Sequence, residues 1–302
     1  MSEKNSADPA TNPGLVAVDR IIIAVKSLTD AEAAYSRMLG RTPSWRRRDR
    51  SGGTVHVYYY LDNIGLELTA QNGPGIWGQH LANFIEKRGE GIIVLGLASD
   101  DMIATAEVLN AHDLATVAMP ENQYVDDAGA THHWRHGLVA SEKSRDLALM
   151  ITQTYTGRGE RKLAPLRDGV SEEAAISALD HVVVMTSDAE ACKHLFGDKL
   201  GIRLALDHTK PEWGVRQLFF RLGGVTIEVV QSLDEAKAPS KDFLWGTAWK
   251  TKDINAVRAR MIAEGAEVSE VRKGRAKGTQ VATIRPPTGG VPTLLISKTE
   301  EK

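Results

Sequence analysis

Hydrophobic and polar residues follow nearly the same order in two parts of the chain. The segments VDRIIIAV at Val18–Val25 and LDHVVVMT at Leu179–Thr186 each place an aliphatic residue and Asp before one polar residue and three β-branched residues. The polar residue is Arg20 in the first segment and His181 in the second. Short β-branched runs are typical of buried strands. The pattern therefore predicts two equivalent strands that differ at a position whose side chain could bind a metal.

The segments that follow these two strands also repeat. LTDAEAAYSRMLG and DAEACKHLFGDKLG carry apolar residues at helical spacing and end at Gly40 and Gly201, and glycine commonly ends a helix. Each is followed by two strands joined by a tight turn, TVHVYYYLDNIGLELTA in the first repeat and VRQLFFRLGGVTIEVVQ in the second, which is typical of hairpins. Each repeat is therefore predicted to be a strand–helix–strand–strand–strand unit.

Two further units have the same organisation. GIIVLGLASDDMIATAEVLNAHDL and FLWGTAWKTKDINAVRARMIAEGA each begin with a strand, start a helix at Asp101 or Asp253, and lead to strands that end at LALMITQ and PTLLIS. Internal similarity on this scale is more diagnostic than a single motif. The sequence thus predicts an α+β fold of four βαβββ modules, paired into curved mixed sheets in two tandem domains at 15–155 and 178–298, with a polar connector at 156–177.

Composition narrows the classes of function. The 302 residues are 42% hydrophobic and 25% charged with a formal net charge of −2, which gives no reason to expect nucleic acid or a membrane as partner. The apolar runs are strand-sized, and the polar segment 1–14 is interpreted as a disordered leader, not a signal peptide. Cys192 is the only cysteine, which excludes internal disulfides and cysteine-based zinc sites. We expect a cytoplasmic protein, a monomer or a homodimer, whose substrate is a small molecule such as an aromatic or organic acid.

The repeat and the LDHVVV…TIEVV frame resemble the vicinal oxygen chelate superfamily, which includes glyoxalase I, bleomycin-resistance proteins and extradiol dioxygenases, from about Val18 to Ile296. The resemblance implies glyoxalase-like domains in which two βαβββ units form a sheet that cups a divalent metal. It also implies a His ligand on the first strand and a Glu ligand on the last strand of a unit. One divalent ion, Fe, Mn, Zn or Ni, is the expected cofactor.

Polar residues occupy these positions in the first and third units. Arg20 and Glu67 are 47 residues apart in the first unit, and His181 and Glu228 are 47 residues apart in the third. If the odd-numbered units face each other, all four side chains converge, and His181, Glu228 and Glu67 are the predicted metal ligands. Arg20 cannot ligate a metal, so it would pair with Glu67 or bind a substrate oxygen as a catalytic group. Structural pairs without a metal are the alternative. The even-numbered units offer no ligand at the corresponding positions, Val94, Gly246 and about Thr293.

Strand alternation supplies further candidates. It places His56 and Tyr58 on one face of TVHVYYYL, and Gln217 and Phe219 on the corresponding face of VRQLFFRL. If these faces point into the cup, His56 is a candidate catalytic acid or base, since its ordinary pKa lies near neutral pH. Tyr58, Gln217 and Phe219 are then candidate substrate-binding residues.

Three motifs received a structural interpretation. THHWRHGL predicts a strand with His132 and His136 on one face, and a metal role for it is the minor alternative. GPGIWG at Gly73–Gly78 matches a dinucleotide-binding pattern, but it follows the last strand of a unit and contains proline, so a linker is predicted. WRRRDR at Trp45–Arg50 predicts a solvated basic strand face, with steering of an anionic substrate as the alternative.

These observations favour a metal-dependent small-molecule enzyme. The metal would stabilise an enolate or oxyanion of a chelated hydroxy-carbonyl or aromatic substrate in an isomerase, epimerase or lyase reaction. A ring-cleaving dioxygenase is the second hypothesis, in which His56 or His136 would have to replace missing ligands of Fe²⁺. The third is a metal-free binding protein of the bleomycin-resistance kind, which would sequester its ligand in an aromatic-lined pocket.

Overall fold

The computed structural model describes residues 13–155 and 161–299. The predicted leader, except its last two residues, and the first part of the predicted connector therefore lie outside the described residues. Two sheets are present, which define a first domain and a second domain.

The first domain contains nine strands and three helices. Its strands are β1 (Leu15–Ala24), β2 (Trp45–Asp49), β3 (Thr54–Tyr60), β4 (Gly65–Gln71), β5 (Gly91–Ser99), β6 (Thr116–Ala118), β7 (Asn122–Val125), β8 (Thr131–Val139) and β9 (Leu149–Thr154). Its helices are α1 (Leu28–Leu39), α2 (Ile76–Arg88) and α3 (Met102–Ala111).

The second domain repeats most of this order. Its strands are β10 (Ile176–Thr186), β11 (Arg203–Lys210), β12 (Val215–Leu222), β13 (Val225–Ser232), β14 (Phe243–Thr251), β15 (Arg272–Lys273), β16 (Thr279–Ile284) and β17 (Thr293–Lys298). Its α-helices are α4 (Ala189–Lys193), which continues as a π-helix over His194–Lys199, and α5 (Ile254–Ala263). No described helix in either domain is long and apolar enough to cross a membrane.

The pairing of the first strands decides which units share a sheet. The first sheet has the order β2-β3-β4-β1-β5-β9-β8-β6, with β7 on β8, and the second has the order β11-β12-β13-β10-β14-β17-β16-β15. β1 runs parallel to β4 and antiparallel to β5, and β10 has the same relations to β13 and β14. The predicted α+β fold of two mixed sheets is therefore confirmed. Consecutive units join through their first strands, so units one and two share the first sheet, units three and four share the second, and neither sheet joins units one and three.

Strand alternation separates a core face from a concave face in β1. Ile21 and Ile23 are fully buried in the main apolar core, whereas Arg20 and Ile22 point to the concave side, where they line a cavity. A register shift between Val18 and Arg20 interrupts the alternation, so the fully buried Val18 belongs to the core as well. The helix that follows ends where the sequence predicts, since Gly40 has a left-handed φ of 69° and donates its N–H to Ser36.

The motif GPGIWG starts a helix. Helix α2 begins at Ile76, directly after Gly75, so the linker prediction is wrong for this segment. A Cβ on Gly75 would lie 2.1 Å from the carbonyl carbon of Gly52, so glycine is needed where the backbone passes the turn between β2 and β3. Further along α2, Leu81 packs in a small apolar cluster on the concave side of the sheet. The glycines therefore allow close packing of a helix and do not bind a phosphate.

Arg41 connects the two domains through the connector. Its side chain is 1% exposed, and it donates hydrogen bonds of 2.8 Å to the carbonyl oxygens of Ile176 and Ala164 and to the carboxylate of Glu172. Buried donors and acceptors that lose their partners are costly. This guanidinium is therefore a structural tie between the end of α1 and the start of β10.

Replacing Arg41 by Met should lower the free energy of unfolding by about 2–3 kcal/mol, since two carbonyl oxygens and one carboxylate lose their donor. The exposed Arg50 provides a control, because Arg50→Met makes the same change of charge and shape at the surface. Urea denaturation of both variants measures the difference. Equal stabilities of the two variants would contradict the structural role.

Candidate active site

The concave face of the first sheet encloses a cavity of about 960 Å³, lined by residues between Arg20 and Lys162. Its two sides differ in character. Polar side chains from β1 to β4 form one side: Arg20, Arg47, Thr54, His56, Tyr58 and Glu67. The other side is largely apolar and comes from β5, β8, β9 and α2, with Leu81, Ile93, Val94, Trp134, Leu138 and Met150. The cavity therefore suits an amphipathic small molecule.

Glu67 lies at the centre of the polar side. It is 4% exposed, and its carboxylate accepts hydrogen bonds from His56 Nδ1 at 2.8 Å and from the Tyr58 hydroxyl at 3.1 Å. Arg20 Nη1 lies 3.2 Å from its second oxygen. Burial opposes its ionisation, but the hydrogen bond from His56 and the charges of Arg20 and Arg47 lower the pKa of Glu67 to about 2. Glu67 is therefore ionised and fully partnered.

The partners of His56 fix its tautomer. Its Nδ1 faces the ionised Glu67 and must donate, whereas its Nε2 lies 3.0 Å from Arg47 Nη2 and 2.8 Å from Thr54 Oγ1. An arginine can only donate, so Nε2 accepts and the ring is neutral. Burial also lowers the pKa of His56, against the raising effect of its hydrogen bond with Glu67. Both ring nitrogens are thus engaged by the protein.

Two acidic side chains fix the position of the Arg20 guanidinium. Its Nε donates to Asp19 at 2.7 Å, while Nη1 contacts Glu67. Across the sheet it pairs with Gly96 of β5, where a Cβ would lie 2.8 Å from Arg20 Cγ. In the second domain the equivalent pair is His181 and Ala248. Glycine on β5 therefore makes room for the longer side chain that stands in place of a histidine.

His136 faces the cavity from the opposite side. It lies on β8 directly across from Thr152 of β9, and no described residue forms a hydrogen bond with its imidazole. Burial, and then the charges of Arg20 and Arg47, lower its pKa below 6.5. The ring is therefore neutral at pH 7. The sequence placed His132, Trp134 and His136 on one face of the THHWRHGL strand, and the fold turns His136 toward the cavity.

Unpartnered polar atoms are concentrated in this cavity. Among the described residues, buried side-chain atoms without a hydrogen-bond partner are Trp45 Nε1, Arg47 Nε, Thr152 Oγ1, Arg161 Nη2 and Arg135 Nε. All but the last belong to residues that line the cavity. Such atoms are rare in native proteins and call for an explanation. Three of the four atoms on cavity-lining residues are N–H donors, so this side of the cavity carries unused donor capacity among the described residues.

The basic strand WRRRDR contributes one side chain to the cavity. Arg46 and Arg48 are exposed, as the sequence predicts, but Arg47 alternates inward and lies 5.7 Å from the ring of Trp134. Trp45, two residues earlier, is stacked between Tyr58 at 3.9 Å and His132 at 3.8 Å. The prediction of a solvated basic face therefore holds for the alternate residues only.

The second domain carries a group of polar side chains on the corresponding strands, but the residue types differ from those of the first domain. His181 Nε2 lies 3.3 Å from Glu228, and its Nδ1 lies 2.9 Å from Asp180. Gln217 donates to the other oxygen of Glu228, and Phe219 meets His208 edge to face at 5.7 Å. Gln217 and Phe219 lie on β12 beside Glu228, and their substrate-binding role stays a prediction. None of these residues lines the cavity of the first domain.

The predicted metal-ligand set is not assembled. Glu67 lies on β4 of the first sheet, whereas His181 and Glu228 lie on β10 and β13 of the second. Among the described residues, no three His, Cys, Asp or Glu side chains are grouped to hold a metal. In the first domain a guanidinium stands where a ligand is expected, and Glu67 already accepts hydrogen bonds from His56, Tyr58 and Arg20. In the second domain two ligands are present where a catalytic metal commonly takes three. The donor sets therefore do not fit a resident catalytic metal.

The comparison with known families agrees with this architecture. Residues 19–131 and 180–283 match the Glyoxalase/Bleomycin resistance protein/Dioxygenase superfamily. The chain belongs to this superfamily. The predicted resemblance is thereby confirmed, and both tandem domains of this superfamily member take part in the match. Among curated proteins, none matches the chain.

Solved structures share the fold of this superfamily member at low sequence identity. A mutant of 4-hydroxymandelate synthase from Streptomyces coelicolor has a TM-score of 0.71 and 14% identity over 96% of this chain and 94% of that one. The Mn(II)-bound glyoxalase from Novosphingobium aromaticivorans has a TM-score of 0.61 and 14% identity over 95% of this chain and 83% of its own. A xylose isomerase-like TIM barrel/4-hydroxyphenylpyruvate dioxygenase fusion protein has a TM-score of 0.61 and 13% identity over 100% of this chain and 52% of its own. These similarities establish the tandem fold.

Proposed function

We propose that this chain is a small-molecule enzyme that transfers a proton on a substrate bound in the cavity of the first domain, in an isomerase, epimerase or lyase reaction. The observation that carries the proposal is the His136 imidazole, which is neutral and has no hydrogen-bond partner among the described residues. A neutral imidazole with a free lone pair is a common general base.

Arg20 and Arg47 supply positive charge on the opposite side of the same cavity. Removing a proton next to a carbonyl group leaves an enolate, and fixed donors aimed at its oxygen stabilise the charge as it develops. Asp19 and Glu67 fix Arg20, and His56 accepts a hydrogen bond from Arg47. In this scheme His56 positions Arg47 and does not itself exchange a proton with the substrate.

Metal-dependent versions of the reaction need a different donor set. Ring cleavage by a non-haem iron needs two histidines and one carboxylate around the ion. In the first domain the histidine nearest to Glu67 is His56, and it uses one nitrogen to donate to that carboxylate and the other to accept from Arg47. The guanidinium of Arg20 supplies the local positive charge instead. The proposal therefore assigns charge stabilisation to Arg20 and Arg47.

Deuterium incorporation tests this function. The full-length protein is incubated in D₂O with enolisable aryl-substituted hydroxy and oxo acids, and exchange at the carbon next to the carbonyl group is followed by proton NMR. We expect catalysed exchange whose rate changes by no more than about twofold after treatment with EDTA. Metal content is measured on the same samples. Exchange that is lost with EDTA and restored by a divalent metal would overturn the mechanism.

The rate should depend on pH through His136. A base acts in its neutral form, and the pKa of His136 is lowered, so kcat/KM should stay constant near neutral pH and fall only below the ordinary value of 6.5. Removing a nearby positive charge raises the pKa, so Arg47→Met should move the acidic limb to higher pH. The exposed neighbour Arg48 is the control. If Arg47→Met and Arg48→Met give the same profile as the unsubstituted protein, the assignment of the base is wrong.

Ligand sequestration without catalysis is the second candidate function. It is favoured by the stacked rings of Trp45, Tyr58 and His132 beside an apolar wall, since such a cavity can bind an organic molecule without any reaction. This alternative predicts tight binding of a ligand with no exchange in D₂O. The same experiment, combined with a binding measurement, distinguishes the two functions.

A further inference from the structure

We infer that the molecule bound in the first-domain cavity is an apolar organic carboxylate, whose acid group is recognised by Arg47 and Trp45. This inference rests on the proposed function because it assumes that the substrate binds in the first-domain cavity. It goes further because it names the chemical class of the substrate and the residues that select it.

The first argument is the pair of unsatisfied donors on β2. Trp45 Nε1 and Arg47 Nε are both buried without a partner among the described residues. They are two residues apart on one strand and therefore project from the same face. Both faces of the Trp45 ring are covered by Tyr58 and His132, so a ligand can meet this ring only at its edge. A group with two acceptor oxygens satisfies both donors.

The second argument is charge. The other hydrogen-bonding atoms of Arg47 are engaged, with Nη2 on the neutral His56 and Nη1 at 3.6 Å from Asp49. A guanidinium forms stronger and shorter hydrogen bonds with a carboxylate than with a neutral carbonyl. Arg161 adds a second guanidinium to the lining, again with one unpartnered nitrogen. Arg47 therefore favours an anionic acceptor over a neutral amide or ketone.

The third argument is the opposite wall, which defines the rest of the ligand. Val94, Leu138 and Met150 from the second unit and Leu81 from α2 line that side, and Trp134 lies between it and Arg47. Apolar area removed from water on binding contributes about 25 cal/mol per Å². A charged head at β2 and a hydrocarbon or aryl body against this wall therefore match the two sides of the cavity.

Binding of a matched pair of probes tests this inference. Isothermal titration calorimetry is carried out with 2-naphthylacetate and with its neutral analogue 2-naphthylacetamide on the full chain. We expect the acid to bind more tightly than the amide by roughly tenfold or more. Arg47→Met should weaken binding of the acid by roughly 10–100-fold and leave binding of the amide nearly unchanged. Trp45→Phe keeps the stacked ring but removes the N–H, so a loss of roughly 2–10-fold is expected.

Arg48→Met serves as the matched control, because Arg48 lies on the same strand, carries the same charge and is exposed. Equal affinity for acid and amide, equal effects of Arg47→Met and Arg48→Met, or no binding of the acid would each overturn the inference. The carboxylate site and the proposed enzyme activity can fail independently in these experiments. Selective acid binding without exchange in D₂O would reject the enzyme and keep the carboxylate site, whereas catalysed exchange together with equal affinity for acid and amide would do the reverse.

Discussion

Replacing His136 by Asn should lower the rate of catalysed deuterium exchange by about 10²–10⁴-fold, the usual contribution of a general base. Asparagine is close to imidazole in size and polarity but cannot accept a proton at neutral pH. Because Arg47 and Trp45 bind the acid group in our proposal, the affinity for 2-naphthylacetate should change by less than about threefold. Exchange kinetics in D₂O and calorimetry on the same preparation provide the two measurements.

The exposed His194 of the second domain is the control for this substitution, since its imidazole contacts only Asp198 at the surface. His194→Asn should keep the exchange rate of the unsubstituted protein. If His136→Asn retains more than about a tenth of the activity, His136 is not the base. If binding is lost together with activity, the side chain holds the ligand and the proton transfer has been assigned to the wrong residue.

Replacing Glu67 by Gln should lower the free energy of unfolding at pH 7 by about 3–5 kcal/mol, the usual cost of breaking a buried ion pair. Glu67 accepts hydrogen bonds from Arg20, His56 and Tyr58. The amide nitrogen of glutamine is a donor, so it would face at least one of these donors without an acceptor between them. Urea denaturation of both proteins measures the loss.

The pH dependence of this loss has a definite sign. The folded state lowers the pKa of Glu67 from 4.5 to about 2, so its ionisation stabilises the protein fully above pH 4.5 and progressively less as the pH falls toward 2. The difference between the unsubstituted protein and Glu67→Gln should therefore be largest near neutral pH and become smaller in acid. Measurements at three pH values between 7 and 3 are sufficient to detect the trend.

Glu228→Gln makes the same change at the equivalent position of the second domain. Glu228 is more exposed than Glu67, at 9% against 4%, and no arginine pairs with it among the described residues. Its substitution should cost about 1–2 kcal/mol. If Glu228→Gln costs as much as Glu67→Gln, the ion pair with Arg20 is not the source of the stability.

Part of the candidate site could be derived from the sequence. The spacing of 47 residues brings Arg20 to Glu67 within one unit, and strand alternation adds His56 and Tyr58 to the same face, so these four side chains meet as a group. His56 and Tyr58 meet Glu67 across the β3–β4 hairpin, where the register follows from a short turn. Arg20 meets Glu67 across the parallel pair of β1 and β4, the first and last strands of the same unit. The functional roles of these residues stay predictions.

The rest of the site depends on contacts between units. His136, Thr152 and most of the apolar wall belong to the second unit, and no motif of the first unit indicates which of these side chains its own residues meet. Pairing of β1 with β5, and not with β10, places Glu67 opposite His136 and separates it from His181. The predicted ligands Glu67, His181 and Glu228 therefore lie on two different sheets, which motif spacing does not reveal, and their metal-binding role stays a prediction.

By itself, the sequence of this protein determined four βαβββ units, the end of α1 at Gly40 and the sets of residues that share one face of a strand, because these features follow from periodicity, capping and turn residues within short segments. The tertiary structure alone decided which side chains of two units meet, how α2 packs over the concave face, and which polar atoms lack a partner. Strand pairing between units and burial depend on the free energy of the whole packed chain. The chemistry of the cavity is therefore a property of the assembled sheet.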